Sequence, residues 1–336
     1  MEQVYLQHRA RLRQRVFLPA TEQERDAYFL DLFAFQYTYN GLYRNFCDLL
    51  GKGPGNVLRR QAIPFLPISF FKTHTVQSGR WQPVLRFSSS GTGGMQTSSH
   101  LLHEETLYTD SFLHAFRQFY GDPAGYAFFF LLPSYMEREG SSLIYMCEQL
   151  RLRSPYPESG FYLHADEALL SAVETCKKKN IPILLLGVSF ALLDLAESGQ
   201  FDFSGCIVME TGGMKGRRTE PTRAELHEIY CRQFNVKHIH SEYGMTELLS
   251  QAYSKGEGLF EAPPWMDIQI FDTDDPFSPS APGKTGAIHV TDGANIDTCA
   301  FIATQDLGKK YEDGRFEVLG RFDHSDVRGC SLLIAG

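Results

Sequence analysis

Residues 166–186 read DEALLSAVETCKKKNIPILLL. A helical pattern over Asp166–Lys178 gives way, after a short polar break, to the apolar run Ile181–Leu186. The same pairing recurs on both sides of this stretch. Val84–Phe87, Tyr126–Leu132, Cys206–Met209 and Lys237–His240 read as buried strands, and Glu104–Phe119 and Arg223–Phe234 as helices between them. Buried strands separated by helices are the pattern of parallel βαβ units. The fold class expected is therefore α/β, with mixed or parallel sheets flanked by helices.

Outside this core the texture changes twice. The first sixty residues read as helices, with a start signal at Ala20-Thr21-Glu22-Gln23 and apolar positions at Tyr28, Leu30, Leu32, Phe33 and Phe35. The aromatics there, with Tyr37, Tyr39, Tyr43 and Phe46 following, either line an acyl pocket or bury core area, and the second is the commoner use. Residues 61–75 carry Pro64 and Pro67 and cannot form a regular helix. After residue 254, short strands at Met266–Phe271, Gly286–Val290 and Arg315–Leu319 alternate with turns such as Asp272–Pro282. The expected organisation is an α/β body over 1–254 with a helical N-terminus, and a smaller β-rich subdomain over 255–336.

Composition removes several classes. The chain has 336 residues, 43% hydrophobic and 21% charged, which describes a globular protein able to bury a core without a metal or disulfide staple. With 32 Lys plus Arg against 40 Asp plus Glu the net charge is −8. That balance argues against a broad nucleic-acid or anionic-membrane surface, though not against a local pocket for one small anion. The apolar runs fall far short of the ~20 residues a membrane helix needs, and the N-terminus lacks a signal peptide's apolar core. Seven cysteines, at 47, 147, 176, 206, 231, 299 and 330, show no paired spacing. Reduced thiols and a cytoplasmic location are the expectation.

Three glycine-bearing turns carry most of the functional signal. Ser88-Ser89-Ser90-Gly91-Thr92-Gly93-Gly94-Met95-Gln96-Thr97-Ser98-Ser99 follows a predicted strand. Its backbone N–H groups and small hydroxyls suit a nest for phosphate oxygens, or else a polar surface hairpin. It is not a Walker A loop, and Gly283-Lys284-Thr285 is no better, because Ser278 stands where that loop's first Gly belongs. Glu210-Thr211-Gly212-Gly213 and His240-Ser241-Glu242-Tyr243-Gly244-Met245-Thr246-Glu247 also follow predicted strands. Ligands of α/β proteins collect at the carboxyl ends of strands, so the three turns are expected to converge on one cleft. His238, His240 and Glu242 on one strand face, and His100, His103 and Glu104, offer a weaker metal-site reading against that of ordinary polar positions.

Together these stretches resemble the adenylate-forming enzymes, the superfamily of acyl-CoA synthetases, luciferases and nonribosomal adenylation domains. Ser89–Gly94 is similar to that family's Ser/Thr/Gly phosphate loop, and Glu210–Gly213 to its adenine-side turn. Tyr243-Gly244-Met245-Thr246-Glu247 matches its YGxTE segment. Thr304-Gln305-Asp306-Leu307-Gly308 resembles the ribose-binding segment, and Gly320-Arg321-Phe322-Asp323 the GRxD hinge. Within the superfamily the likeness is to the acyl-protein synthetases of bacterial bioluminescence operons, with phenylacetate-CoA ligases next. Pro64-Phe65-Leu66-Pro67-Ile68 with Phe71-Lys72, the end of the chain soon after GRxD without a C-terminal lid domain, and Arg328-Gly329-Cys330 carry that likeness. The chain departs from the pattern at Gly93, in place of a second Thr, and at Asp323-His324-Ser325-Asp326.

The resemblance implies an AMP-forming acid–thiol ligase that uses ATP and Mg²⁺. A carboxylic acid, fatty acids foremost, would attack the α-phosphate of ATP to give an acyl-adenylate. It assigns Ser89, Ser90, Gly91, Thr92, Gly93 and Gly94 to the β and γ phosphates, Thr246 to the α-phosphate and Glu247 to Mg²⁺. Gly212, Gly213, Tyr243 and Gly244 would flank adenine, Asp306 would accept from the ribose hydroxyls, and Arg321 would brace that side. Cys330 would take the acyl group as a thioester, with coenzyme A, an acceptor protein or a carrier protein as the other acceptors. The rival readings are a ligase completed by a separate lid or partner and a binding protein that kept the fold without the catalysis.

Overall fold

The structure, a computed structural model, describes residues 2–18, 21–89, 97–132, 140–163, 167–212 and 222–321. Three helices open the chain: α1 (Glu2–Arg15), α2 (Glu22–Tyr39) and α3 (Gly41–Leu49). Thr21 caps α2 reciprocally with Glu24, whose carboxylate accepts from the Thr21 amide at 2.8 Å. Phe29, Phe33, Phe35 and Tyr43 are wholly buried, so this part of the aromatic array is packed core.

β1 (Leu66–Pro67) and a single helical turn, α4 (Phe70–Thr73), follow the prolines. β2 (Leu85–Ser88) and β3 (Ser99–Leu102) form their own antiparallel hairpin. The strand expected at 84–87 is thus present but outside the parallel sheet. Residues 89–98 are too few for the dozen or more that a parallel crossover needs.

The doubly wound part runs α5 (Glu105–Tyr120), β4 (Ala127–Leu131), α6 (Ser142–Arg151), β5 (Gly160–Tyr162), α7 (Glu167–Lys178), β6 (Ile183–Val188), α8 (Ser189–Ser198), β7 (Ile207–Thr211), α9 (Arg223–Phe234) and β8 (His240–Tyr243). Six more strands follow among the described residues: β9 (Ala252–Ser254), β10 (Leu259–Glu261), β11 (Met266–Phe271), β12 (Gly286–Asp292), β13 (Phe301–Lys310) and β14 (Phe316–Arg321). Strands β5-β4-β6-β7-β8 are parallel, in one of the two common doubly wound orders. The sheet then continues antiparallel through β9-β10-β14-β13-β12-β11, with β1 beside β13. Every residue of β4 and β6 is buried, as strands covered by helices on both faces require.

Two strand positions differ from expectation. β8 begins at His240 where the sequence suggested Lys237–His240, and β7 reaches Thr211, so both strands run directly into their glycine turns. The N-terminal helices pack on the connection between β12 and β13. Tyr28 donates to the Gly293 carbonyl at 2.7 Å, Gln36 to that of Asn295 at 2.8 Å, and Asn40 to that of Thr298 at 3.0 Å. Arg9 grips Asp297 through two nitrogens, at 2.6 and 2.7 Å. The first and last parts of the chain therefore close on each other.

Candidate active site

The Ser/Gly loop leaves β2 and returns into β3 through a narrow neck. Ser89 N donates to the Ser98 carbonyl at 3.1 Å, and Ser98 N donates back to Ser89 Oγ at 2.8 Å. Ser90, Gly91, Thr92, Gly93 and Gly94 lie outside the described residues. The neck itself faces the turn after β8, because the Ser98 side chain comes near enough to the Glu247 carboxyl to lower its pKa. Burial pushes that carboxyl up, against Ser98, a bond to its own backbone and the charges of Arg321 and Lys72. Two of the three turns thus meet at Glu247.

That turn belongs to no helix or strand, yet its backbone is held throughout. The Thr246 carbonyl accepts from His100 Nδ1 at 2.7 Å, and the Glu247 carbonyl from Asn295 Nδ2 at 2.8 Å. Leu249 and Ser250 amides donate to Asp292 Oδ2 at 2.7 and 3.1 Å. At its start stands Gly244, where a Cβ would overlap Glu242 Oε1, so any side chain there has to displace that carboxyl.

The third turn follows β7. Gly212 adopts φ 71°, a left-handed conformation that suits glycine, and its carbonyl accepts from Ser189 Oγ at 3.0 Å. Just before it, Glu210 is buried and surrounded by donors: Ser189 at 2.8 Å, Arg223 at 2.8 Å, Ser241 at 3.0 Å and His227 at 3.2 Å. Burial works against the charge, but His227, Arg223 and Ser189 outweigh it and hold the carboxyl at about 2. Arg223 also donates to the Val318 carbonyl at 2.6 Å, tying this cluster to β14. Ser241, His227 and Glu210 look like a hydrolytic triad but are not one. The same imidazole nitrogen, Nε2, faces both oxygens, so no proton can pass across the ring from one to the other.

The ribose-side residues assemble on β8, β13 and β14. Tyr243 donates to Asp306 Oδ2 at 2.8 Å, and its ring packs edge-on against Phe260 and Phe316. Arg321 Nε stands 4.0 Å from Asp306 Oδ1 with its head in solvent. Burial raises the Asp306 pKa, opposed by the Tyr243 bond and by Arg321 and Arg223. The Arg321 charge bears on both Asp306 and Glu247, so the two clusters face one cation.

No protein-family model matches the chain. Two curated relatives are similar over nearly its whole length. The long-chain-fatty-acid–luciferin-component ligase of Vibrio harveyi is 25% identical over 331 residues, covering 90% of this chain and 85% of the relative. That of Aliivibrio fischeri is 23% identical over 344 residues, covering 93% and 88%. The fold is that of ATP-bound MatB from Rhodopseudomonas palustris (TM-score 0.53, 17% identity), over 70% of this chain and 47% of the other. The amide bond synthetase McbA from Marinactinospora thermotolerans aligns with a TM-score of 0.50, at 17% identity, over 71% and 49%. The sequence likeness is to these two ligases, and the fold is one shared with MatB and McbA. The chain spans about half the length of the solved structures it matches, and its sheet and helices are those of their large N-terminal domain.

On this shared fold, Ser89, Gly212, Tyr243, Gly244, Thr246 and Glu247 lie on the three turns or at the ends of the strands that lead into them, and Asp306 and Arg321 lie on β13 and β14. Gly213 and Cys330 fall outside the described residues. The metal readings do not survive, since among the described residues no three His, Cys, Asp or Glu side chains come together. His240 meets the Tyr120 hydroxyl at 3.2 Å while Glu242 takes the Thr211 hydroxyl, so residues sharing a strand face have separate partners. His100 and His103 diverge likewise, His103 stacking on Trp81 beside Asp297. The six described cysteines are all unpaired. No described helix is long and apolar enough to cross a membrane. Sequence reasoning missed Asn295 and Asp292 as parts of the site, because they lie far in sequence from the glycine turns, and it quoted Lys72 and Ser98 without giving either a part there.

Proposed function

We propose that the protein activates a carboxylic acid, a fatty acid foremost, as its acyl-adenylate and passes the acyl group to a thiol. The observation that carries this reading is the meeting of Glu247 with Ser98 at the loop neck, facing the Arg321 that also faces Asp306. Phosphate-loop, YGxTE and ribose-side residues, far apart in sequence, thereby address one small volume. The names of the two curated relatives point to a long-chain fatty acid.

In the first step a carboxylate oxygen bonds to the α-phosphorus of ATP as the bond to the bridging oxygen breaks and pyrophosphate leaves. Two anions meet, so donors and cations must stand where charge accumulates. The loop that begins at Ser89, with Ser90–Gly94, offers backbone N–H groups to the β and γ phosphates. Thr246 presents its hydroxyl to the α-phosphate, and Arg321 places its guanidinium beside the ribose and phosphates. Tyr243 orients Asp306 to accept from the ribose hydroxyls, while Gly212, Gly213 and Gly244 keep the adenine side open.

Glu247 suits Mg²⁺, an ion commonly held by one carboxylate together with phosphates and water, and when bound it neutralises phosphate charge. Its carboxyl is buried with a raised pKa, so a bound cation would favour its ionised form. In the second step a thiolate sulfur bonds to the acyl carbon and AMP leaves. Cys330 is the proposed acceptor, and a depressed thiol pKa would increase the thiolate available for attack.

The test is incubation with Mg²⁺-ATP and a panel of radiolabelled acids, followed by denaturing electrophoresis of wild type and Cys330→Ser. Label on the wild-type band that neutral hydroxylamine strips, and that the variant lacks, is the expected result. Acid-dependent pyrophosphate exchange without label would move the acceptor to coenzyme A or a carrier protein. Neither label nor exchange would sink the reading in favour of a binding protein.

A further inference from the structure

Thr246 and Glu247 must hold one geometry, yet they sit on an irregular turn after β8, where no ladder or helix fixes backbone position. Turns of this kind drift unless other side chains satisfy their carbonyls and amides. Here the pins come from elements remote in sequence: His100 on β3, and Asn295, Thr298 and Asp292 on or beside the β12–β13 connection. The imidazole of His100 is buried and touches every layer of the bracket. Its Nδ1 lies 2.7 Å from the Thr246 carbonyl, and its Nε2 lies 3.0 Å from Thr298 Oγ1 and 3.1 Å from Asn295 Oδ1. Asn295 in turn donates to the Glu247 carbonyl at 2.8 Å. On the other side the Phe71 ring stands edge-on to the imidazole at 5.7 Å, so the ring cannot tilt freely.

The geometry fixes one proton. A carbonyl oxygen only accepts, so Nδ1 carries the hydrogen that reaches Thr246. Burial pushes the imidazole pKa down to about 4, against its bonds to Thr246 and Asn295, and the Thr298 hydroxyl beside Nε2 also donates to Asn295 Oδ1. The Nδ1–H bond to Thr246 is present whichever state Nε2 takes, so the ring is a fixed pin and not a switch.

We infer that His100 is a positioning residue of the acid-activating step, which sets the Thr246–Glu247 backbone through its Nδ1–H and, through Asn295 and Thr298, aims the hydroxyl and carboxylate at the nucleotide. The inference rests on the proposed function for its nucleotide and extends it to residues outside the superfamily motifs quoted above. It gives the β3 histidine, one of those offered as a metal ligand by sequence, a different task.

The test compares wild type with His100→Leu and His100→Asn, whose amide N–H approaches the place of Nδ1. Three readouts are taken: thermal unfolding, calorimetric binding of ATP with and without Mg²⁺, and acid-dependent pyrophosphate exchange. Misplacement of reacting groups by an ångström costs about 100-fold, so His100→Leu should lose about that factor in kcat with KM for ATP little changed. His100→Asn should recover most of it. Equal exchange rates in wild type and His100→Leu would overturn the inference while leaving the proposed function standing. So would equal losses in both variants that follow their loss of thermal stability, because the ring would then be packing alone. If wild type binds Mg²⁺-ATP but exchanges nothing, the acid-activation reading fails and this inference fails with it. Wild type that binds no nucleotide overturns both.

Discussion

Glu210 and Glu242 stand on neighbouring parallel strands, one register position apart, and titrate at opposite extremes. Glu210 pairs with Ser241 and Thr211 with Glu242, so the two carboxyls point to opposite faces of the sheet. On the α8–α9 face Glu210 meets four donors, two of them cationic when protonated, and is held at about 2. On the other face Glu242 has the Thr211 hydroxyl, and Tyr108, Tyr120, Cys147 and Tyr253 feel its charge without any cation in the group. Burial lifts it to about 7, against the Thr211 bond. Depth alone therefore does not set a carboxyl's charge. The donors around it decide, and a one-residue step along the sheet changes them completely.

The largest test of this contrast is Glu210→Ala, which strands Arg223 and His227 without their carboxylate. Removing one partner of a buried pair costs about 3–5 kcal/mol, read as a fall in the denaturant midpoint. An equal fall in Glu242→Ala would break the comparison. Next comes pH. A carboxyl raised in the fold keeps its proton where the unfolded chain has lost it, so Glu242 makes stability decline as pH rises from about 4.5 to about 7. Glu242→Gln should remove that slope and gain on the order of 3 kcal/mol at pH 8, followed by thermal unfolding across pH. A slope unchanged in the variant would show that Glu242 is ionised in the fold.

Gly244→Ala sharpens the picture further, since its Cβ collides with Glu242 Oε1. Overpacking costs about 1–3 kcal/mol, and a double variant with Glu242→Ala should recover much of it. Additive losses would mean that the two do not touch. Smallest is Tyr243→Phe, which removes the hydroxyl bound to Asp306 and should cost about 1 kcal/mol, with a matching loss of ATP affinity in calorimetry.

How much of this was legible in the sequence depends on where the signal lay. The alternation from 126 to 243 was readable because strands buried on both faces are uniformly apolar, and Arg223–Phe234 is a helix between the limits expected. Helix α8 was not readable. It follows β6 without a connecting residue, so ILLLGVSFALLDLA presents one apolar run in which periodicity cannot separate strand from helix. Strand β13 was hidden for the opposite reason: Thr304, Gln305, Asp306, Lys309 and Lys310 make it polar, and only its motif stood out. The site motifs were legible as residues, but the contrast between Glu210 and Glu242 was not. It arises from partners on α8, α9, α5 and α6 that no local pattern announces. The contacts of His100 were not legible for the same reason, because its partners lie well over a hundred positions further on.

The closure of the first helices on the β12–β13 connection also bears on how the protein is made. Tyr28 and Gln36 leave the ribosome some 260 positions before Gly293 and Asn295, the residues that accept their hydrogen bonds. At translation rates of about 5–20 residues per second the aromatic helices wait roughly 13 to 52 seconds for those partners. For that interval Phe29, Phe33 and Phe35, fully buried in the finished fold, lack the last wall of their core. The same late connection carries Asn295 and Asp292, so the turn bearing Glu247 is braced only once those residues have been made. A nascent chain interrupted before residue 300 would thus be both adhesive and inactive.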